Sequence, residues 1–579
     1  MRSVAAGACL CDSGPVPAAP RSVTRCAVAR CAAAAALLAA AVVAGCSSPK
    51  SPSGPPTASG QPPASAVPGA APGPTQAPDP AARAAQIAQT MTDEDLVGQV
   101  LMAAINLDDP AAGSASLVTK YRVGGVILMG NPPDAAAGGA AAGVRALADR
   151  LQAAARGLPA KAPLLVATDQ EYGWVTRIKS GVVQLPSAMA FGAAARPDLT
   201  EAAWRGAGGE LAAAGVNVDF APDADVIGTP ANFIIGSRSY GSDPTGVATQ
   251  VAAAVRGLQS AGVAATIKHF PGHGHTTADS HSALPVLGQT RKALDSGDLP
   301  PFQAGIDAGS WLVMSGHLDV RSIDPGMPAS FSHKVLTDLL RTKMRFTGVV
   351  VTDALNMAPA RRWPPGEAAV RAVLAGNDLL LQMAPQDVQA AQQGLLSALA
   401  AGDLPRPRLV EAATRVLTLR FRLAQFAQPA LTSVQVPANR DVARAVAAAA
   451  ITVLRGPCSG PLAHGSVTVT SSAGREGQRA WLVAALKARG VSVVPSGGQV
   501  VHLVGYLDTA ADLATGAVVT VSMDTPFVLR SASSPVRVAT YSATQVAMEA
   551  LAAVLAGKAA AGGRSPVAVT GLPRSACAV

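Results

Sequence analysis

The stretch KHFPGHGHTTADSH, Lys268 to His281, holds four of the chain's eight histidines. Imidazoles gathered this closely can ligate a metal, move protons near neutral pH, or bond the backbone of a loop. A metal would draw on His269, His273, His275, Asp279 and His281, since imidazole and carboxylate both suit zinc. Proton transfer would draw on Asp279 and His281, because a D-x-H spacing on a loop can set a carboxylate beside the ring it orients. His273 and His275 stand among glycines in PGHGH and read, taken singly, as residues that bond backbone and cap turns. Further ionisable groups sit in or at the ends of short apolar runs: Asp169 to Glu171, Asp219, Lys268 with His269, His317 and Asp353.

The elements that must position these groups follow from the pattern around them. From about residue 81 the chain alternates helical stretches with the runs GQVLMAAI, GGVILMG, PLLVATDQE, GVNVDFAP, AATIKHFPG, WLVMSGH, GVVVTDAL and NDLLLQM. Each run is short and continuously apolar, as parallel strands buried on both faces are. Ala-rich stretches such as GVRALADRLQAAARG and DLTEAAWRGAGGELAAAG read as the helices between them. Eight strands with helical crossovers predict an α/β chain whose main unit is a (β/α)8 barrel over residues 81–426. Chemistry in such barrels lies at the C-terminal strand ends, so the polar groups would converge on one mouth. A single Asp after a strand is commonly a helix N-cap. Five strands ending in ionisable groups on one side exceed what capping requires.

A break at 427–440 precedes a second unit, 441–579. Its runs SVTVTSS, VSVVPSG, QVVHLVGY, AVVTVSM, VRVATYS and SPVAVTG alternate with helices such as QRAWLVAALKARG. This predicts a smaller α/β domain, and its lack of clustered acids or histidines assigns it a structural role. At the other end, Arg21, Arg25 and Arg30 precede the apolar run CAAAAALLAAAVVAG and the box VAGC, the features of an export signal over 1–45. The box resembles a bacterial lipoprotein signal, which would make Cys46 the lipidated residue. Residues 46–80, rich in Pro, Ser, Gly and Ala, then read as a disordered tether. The expectation is an exported protein held by a lipid at the outer face of the cell membrane. Five of the seven cysteines lie in or at the signal, which leaves Cys458 and Cys577 as a disulfide candidate in an oxidising compartment. The net charge of +9 is spread without Lys/Arg runs or interleaved aromatics, which argues against nucleic acid as a partner.

The segment KHFPGHGHTTADSHSALP resembles, without gaps, the signature K-H-F-P-G-H-G-x-T-x-x-D-S-H-x-x-L-P of family 3 glycoside hydrolases, in the β-N-acetylglucosaminidase branch. TDQEYGWVTRI is similar to D-Q-E-G-G-R-V-x-R, IIGSRSYGSDP to I-G-x-R-S-F-G-x-D-P, and VVVTDALNM to the nucleophile strand S-D-D-L-x-M. AITVLRGP and GRSPVAV resemble the opening strand and terminal motif of the family's α/β-sandwich domain. The resemblance covers about 85–579 and implies a barrel followed by that sandwich. It implies Asp353 as the nucleophile, and Asp279 with His281 as the acid/base dyad on a mobile loop. It also implies that Asp169, Arg177, Arg238, Lys268 and His269 bind the sugar, with no cofactor and no metal. Tyr172 replaces the first Gly of the G-G pair, Trp174 an Arg, and His275 an Asp.

The chemistry is coherent on its own terms. Retaining cleavage of a glycoside needs one group to attack C1 and another to protonate the leaving oxygen. A carboxylate held by donors can do the first, and a His poised near neutrality the second. The expected activity is removal of terminal β-linked N-acetylglucosamine from cell-wall fragments or related glycans by a monomeric protein. Three other readings use the same residues. One is a phosphorylase, since an imidazole acid/base does not repel incoming phosphate. Another is a metal-dependent barrel hydrolase of the amidohydrolase kind, although its H-x-H pair would follow the first strand and not the fifth. The third is a non-catalytic muropeptide-binding lipoprotein, against which the intact Asp279, His281 and Asp353 argue.

Overall fold

A computed structural model of the chain describes residues 79–108, 114–131 and 139–577. The export signal, nearly all of the tether and Cys46 lie outside the described residues. Asp79 and Pro80, assigned to the tether, instead begin the fold: Asp79 caps the helix Pro80–Thr90 by accepting the Ala82 N–H at 3.1 Å.

Each of the eight apolar runs forms a strand: β1 (Leu101–Asn106), β2 (Gly125–Met129), β3 (Leu165–Thr168), β4 (Val218–Asp219), β5 (Ala264–Phe270), β6 (Leu312–Ser315), β7 (Val349–Thr352) and β8 (Leu380–Gln382). They pair in parallel in sequence order, with β8 beside β1. A bridge between Val351 and Leu379, and the Thr352 N–H donated to the Leu379 carbonyl at 3.0 Å, join β7 to β8 and curl the sheet into a barrel. Met102, Ile127, Leu165, Ala167, Val218, Ala264, Val349 and Leu381 fill the interior. Ala103, Val126, Val166, Ala265, Val313 and Val350 pack outward against the helices. Burial on both faces is the reason the runs show no polar alternation. Glycines let the surrounding helices approach closely. A Cβ on Gly257, in the helix Pro244–Ser260, would stand 2.5 Å from the Glu201 carbonyl of the neighbouring helix Pro197–Ala213.

The C-terminal sheet has five strands, β9 (Thr452–Arg455), β10 (Val467–Ser471), β11 (Gln499–Val504), β12 (Val519–Ser522) and β13 (Val536–Ala539). Their order is β9-β13-β12-β11-β10, with only the β9–β13 pair antiparallel. The helices Glu476–Lys487 and Gln545–Leu555 cover one face, where Leu482, Leu486 and Leu551 meet Val453, Val501 and Val538. On the other face Leu454, Ala539 and Tyr541 meet Met189, Ala190 and Ile235 of the barrel. Two expected strands are absent from this sheet. VSVVPSG makes only a single bridge, Val493 to Val467, because Pro495 has no N–H to donate and glycines follow it. SPVAVTG leaves the sheet and straps the barrel, where the Arg564 N–H donates to the Ala193 carbonyl at 3.0 Å and the Ser242 N–H to the Pro566 carbonyl at 3.1 Å. The break at 427–440 is also more ordered than a linker. The helix Pro437–Ala450 starts within it, and Glu210 Oε1 accepts the Gln435 N–H at 2.9 Å and Asn439 Nδ2 at 2.8 Å. Among the described residues no helix is long and apolar enough to cross a membrane.

Cys458, beyond β9, is paired with Cys577 across 119 residues of sequence, their Cα atoms 5.3 Å apart. A cross-link of that span restricts the unfolded chain. Cys577→Ser is therefore expected to lower stability by about 2–4 kcal/mol, read as a drop in the urea midpoint. Reductant should bring the wild type to the same midpoint and leave the variant where it was. Identical midpoints for both proteins, with and without reductant, would show that the bridge contributes nothing.

Candidate active site

Strand periodicity delivers the central groups. Side chains alternate along a strand, so the inward parity of each run continues past its end. Leu165 and Ala167 of β3 face the interior and lead to Asp169; Val349 and Val351 of β7 lead to Asp353. Ala264 of β5 leads through Thr266 to Lys268. One rule thus aims two carboxylates and an ammonium into the mouth.

Lys268 is buried there, its Nζ 2.5 Å from Glu171 Oε1 and 3.2 Å from Asp169 Oδ1. Arg238 grips the same Glu171 with two bonds, Nε to Oε2 at 2.7 Å and Nη2 to Oε1 at 2.9 Å. Arg238 Nε also lies 3.3 Å from Asp223 Oδ2, and its Nη2 lies 3.4 Å from His269 Nε2. Arg177 Nη2 donates to Asp169 Oδ2 at 3.4 Å, while its buried Nε has no hydrogen-bond partner among the described residues. The structure therefore brings Asp169, Arg177, Arg238, Lys268 and His269 into one continuous network. Burial raises the Glu171 carboxyl, yet Arg238 and Lys268 outweigh it and hold the group ionised well below the usual range. Burial likewise works against the Lys268 ammonium, which Glu171 and Asp169 more than restore. Asp223 keeps the mark of its burial, its carboxyl pushed up to about 7 in spite of Arg238.

Asp225 fixes the histidine segment. Its Oδ1 accepts the backbone N–H groups of His269 at 3.2 Å and His273 at 2.6 Å, and its Oδ2 meets His269 Nδ1 at 2.8 Å. Burial would lower the His269 pKa, but Asp225 raises it overall. His273 is buried, bonded to Thr276 Oγ1 at 2.7 Å and Ser280 Oγ at 3.3 Å, and burial depresses its pKa to about 4. His275 Nδ1 stands 2.8 Å from Asp298 Oδ1, and its ring packs over Gly228, where a Cβ would fall 1.9 Å from it. Tyr172, at the place of the motif's Gly, adopts φ +66° and packs edge-on against Trp204 with ring centroids 5.8 Å apart. The left-handed backbone accounts for a Gly at this place in the motif.

Asp353 is tied to β6 by its N–H, which donates to the Ser315 carbonyl at 2.9 Å, and its Oδ1 accepts the Ala354 N–H at 2.7 Å. Burial would raise this carboxyl. His269, His317, the Ala354 N–H and Lys268 together hold it below the ordinary carboxylate range. His317 Nε2 donates to the Ala354 carbonyl at 3.0 Å and its Nδ1 accepts from Ser330 Oγ at 2.5 Å. The Asp279–His281 pair stands outside this network, with the imidazole 72% exposed. His281 Nδ1 lies 2.7 Å from Asp279 Oδ1, which also accepts the His281 N–H at 2.9 Å. With Nδ1 occupied by the carboxylate, Nε2 is the atom free to exchange a proton with a ligand. The loop is anchored beside Asp353, since the Ala358 N–H donates to the His281 carbonyl at 3.3 Å.

Glu171 and His317 were expected at the mouth with no role attached, and Asp223 and Asp225 were not expected there. The D-x-D of FAPDADVIG, directly after β4, is the signal that marked two of them. Among the described residues, the one group that could hold a metal is Asp223, Asp225 and His269, whose ligand atoms lie within 4.8 Å of one another. His273, His275, Asp279 and His281 form no such group with them. An arginine already faces Asp223, and Asp225 already serves three N–H donors, so the chemistry of this set suits a cation poorly.

The comparisons with known proteins agree with this geometry. The profile described as "Glycosyl hydrolase family 3 N terminal domain" matches residues 91–419. A β-hexosaminidase of Mycobacterium tuberculosis, LpqI, is 34% identical over 350 residues, which span 58% of this chain and 85% of that one. The solved structure of a family 3 β-N-acetylglucosaminidase from Paenibacillus sp. is similar at 32% identity and a TM-score of 0.75, covering 83% of this chain and 99% of that one. A β-N-acetylhexosaminidase from Beutenbergia cavernae, 33% identical with a TM-score of 0.53, matches 57% of this chain and 99% of its own.

Two outcomes are expected. His273 has a folded pKa near 4 against 6.5 unfolded, so the unfolded state binds more protons between those values and stability falls as pH drops through that window. The loss is about 3 kcal/mol by pH 4, and His273→Gln should flatten the corresponding slope of Tm against pH. An unchanged slope would mean that His273 does not titrate as its burial requires. Exhaustive dialysis against a chelator should leave activity as it was, whereas loss restored by zinc would revive the metal-dependent reading.

Proposed function

Because this chain belongs to glycosyl hydrolase family 3, we propose that it is a retaining exo-β-N-acetylglucosaminidase acting on cell-wall-derived or related glycans. The observation that carries the reading is the pairing of two unlike sites. A carboxylate, Asp353, is held ionised at a strand end, and an Asp279–His281 dyad is anchored to the turn beside it. The similarity to proteins named β-hexosaminidase and β-N-acetylglucosaminidase supports the sugar.

In the first step an Asp353 carboxylate oxygen attacks C1 of the terminal sugar while protonated His281 Nε2 gives its proton to the leaving oxygen. The bond from C1 to that oxygen breaks and a glycosyl ester forms. In the second step neutral His281 takes a proton from water, whose oxygen attacks C1 and frees Asp353, with net retention of configuration. Asp279 orients the ring and steadies its charged form. Asp169, Arg177, Lys268, Arg238 and His269 hold the sugar's oxygens and acetamido group. The signal reading of residues 1–45 supports export with Cys46 as the lipid anchor, which would hold the protein at the outer membrane face as a monomer. A phosphorylase is the second reading, because the acid/base is an imidazole that carries no negative charge to repel phosphate.

Incubation with a β-linked disaccharide and with an aryl β-N-acetylglucosaminide, with and without phosphate, tests the proposal. β-N-acetylglucosamine should appear first by NMR, and free sugar should form whether or not phosphate is added; sugar 1-phosphate would favour the second reading. Asp353→Ala should abolish cleavage of both substrates. His281→Ala should slow disaccharide cleavage by about 10²–10⁴-fold and hinder the activated aryl glycoside less in its glycosylation step, since a good leaving group needs little protonation. His269→Ala should weaken both about equally. Intact disaccharide turnover in His281→Ala, with loss in His273→Ala or His275→Ala, would move the acid/base to another imidazole.

A further inference from the structure

A second concavity, of about 700 Å³, opens where the Gly173–Trp174 turn of the barrel meets the C-terminal sheet. That volume falls within the range of small-ligand sites, about 300–1,000 Å³. None of the residues assigned above to proton transfer, nucleophilic attack or sugar binding lines it. Its position nevertheless joins it to them. Trp174 follows the Glu171 that bonds Lys268 and Arg238, and the lining residue Ser237 precedes Arg238. Tyr506, also in the lining, is raised in pKa by burial and by Asp524, and feels the charges of Arg238 and Asp279 as well. The concavity therefore lies next to the mouth, on the side of the Asp279–His281 loop.

Its walls combine two kinds of group. Trp174 and Trp481 are 44% and 39% exposed, unusual for indoles, and Tyr506 meets Trp174 edge-on with ring centroids 3.9 Å apart. An indole face offers an apolar platform that can take the C–H face of a pyranose ring. Around these stand Lys179, Arg440, Arg444 and Arg475, against only two acids, Asp524 and Glu549. Both acids are engaged: Asp524 accepts the Ser237 hydroxyl, and Glu549 accepts Gln545 Nε2 at 3.0 Å and lies 3.8 Å from Arg444. Two of the cations are freer: among the described residues Arg440 bonds only Gln435 Oε1, at 2.8 Å, and Lys179 has no partner. Arg444 Nη1 holds Asp441 at 3.0 Å, and Arg475 Nη2 donates to the Tyr506 carbonyl at 2.7 Å. Arg440 and Arg444 lie one turn apart on the helix Pro437–Ala450, at the edge of the face that buries Ala443, Val446 and Ala447. A neutral sugar would need the platform but not the cations.

We infer that this groove binds a carboxylate-bearing saccharide, the leaving-group side of the substrate whose terminal sugar occupies the Asp353 site. The inference rests on the glycosidase reading for the direction of the chain. It makes the C-terminal domain half of a recognition site, where the sequence suggested structure alone. The aromatic platform sets the ring, and Arg440 with Lys179 meets the carboxylate.

The test measures affinity in Asp353→Ala protein, which leaves any failure of turnover out of the result. The probes are a β-linked disaccharide of N-acetylglucosamine with N-acetylmuramic acid, and the same disaccharide with its carboxylate methyl-esterified. The acid should bind about tenfold or more tighter than the ester at low salt, as for a hydrogen bond to a charged group, and salt should narrow the gap. Adding Arg440→Gln and Lys179→Gln should erase the preference. Trp481→Ala should weaken acid and ester alike; the three changed side chains are exposed, and circular dichroism checks that the fold survives. Equal binding of acid and ester, or a preference that the double substitution leaves intact, would overturn the inference. If the preference holds while the wild type cleaves neither disaccharide nor aryl glycoside, the glycosidase reading fails and the groove stands.

Discussion

Two cations stripped of water, Lys268 and Arg238, set the terms for the whole barrel mouth. Neither tolerates that position without carboxylates in contact, and Glu171 serves both while Asp169 and Asp223 serve one each. Removing one member of such a cluster strands a buried charge at a cost of about 3–5 kcal/mol. The cluster is therefore rigid by necessity, and it draws three strand ends together, because Asp169 and Glu171 follow β3, Asp223 and Arg238 follow β4, and Lys268 lies in β5. The electrostatic field it creates also reaches Asp353, where Lys268 and His269 help to keep a partly enclosed carboxyl ionised.

The dyad shows the opposite solution. Asp279 and His281 are placed in solvent, on a loop held by backbone bonds, and not in the ion cluster. A nucleophile must be ionised when it attacks, so enclosure among donors suits Asp353. An acid that becomes a base must exchange protons with water each cycle, and exposure suits His281. The two environments push the two groups toward different tasks.

The legible part of this arrangement was local. Position at strand ends marked Asp169, Lys268 and Asp353, and parity explains their aim, since Asp169 and Asp353 sit two residues beyond an inward-facing apolar side chain and Lys268 four beyond Ala264. The eight runs gave the barrel for the same reason, two-sided burial being written into every one of them. Glu171 was legible at the mouth but its role was not, and Asp225 was not legible at all, since their roles depend on partners far away in sequence: 67 residues separate Glu171 from Arg238, and 44 separate Asp225 from His269. No spacing rule says which arginine meets which carboxylate. VSVVPSG and SPVAVTG misled because β propensity was read without its Pro, whose missing N–H bars it from a central ladder. The rings of the histidine segment turn to Asp225, Asp298, Asp279 and Ser280, partners that no spacing along the segment names.

The strap from Arg564 to Val567 has a bearing on how the molecule is made. It crosses from the second domain to lie on the barrel beside Ala193 and Ser242, and it leaves the ribosome long after the strands of that barrel. Until the C-terminal sheet docks, the apolar patch around Met189 and Ile235 has no cover, and until the strap follows, neither have the carbonyl of Ala193 and the N–H of Ser242. A barrel that closes during synthesis must therefore wait with one flank open, and that flank is the surface on which premature association between nascent chains would begin.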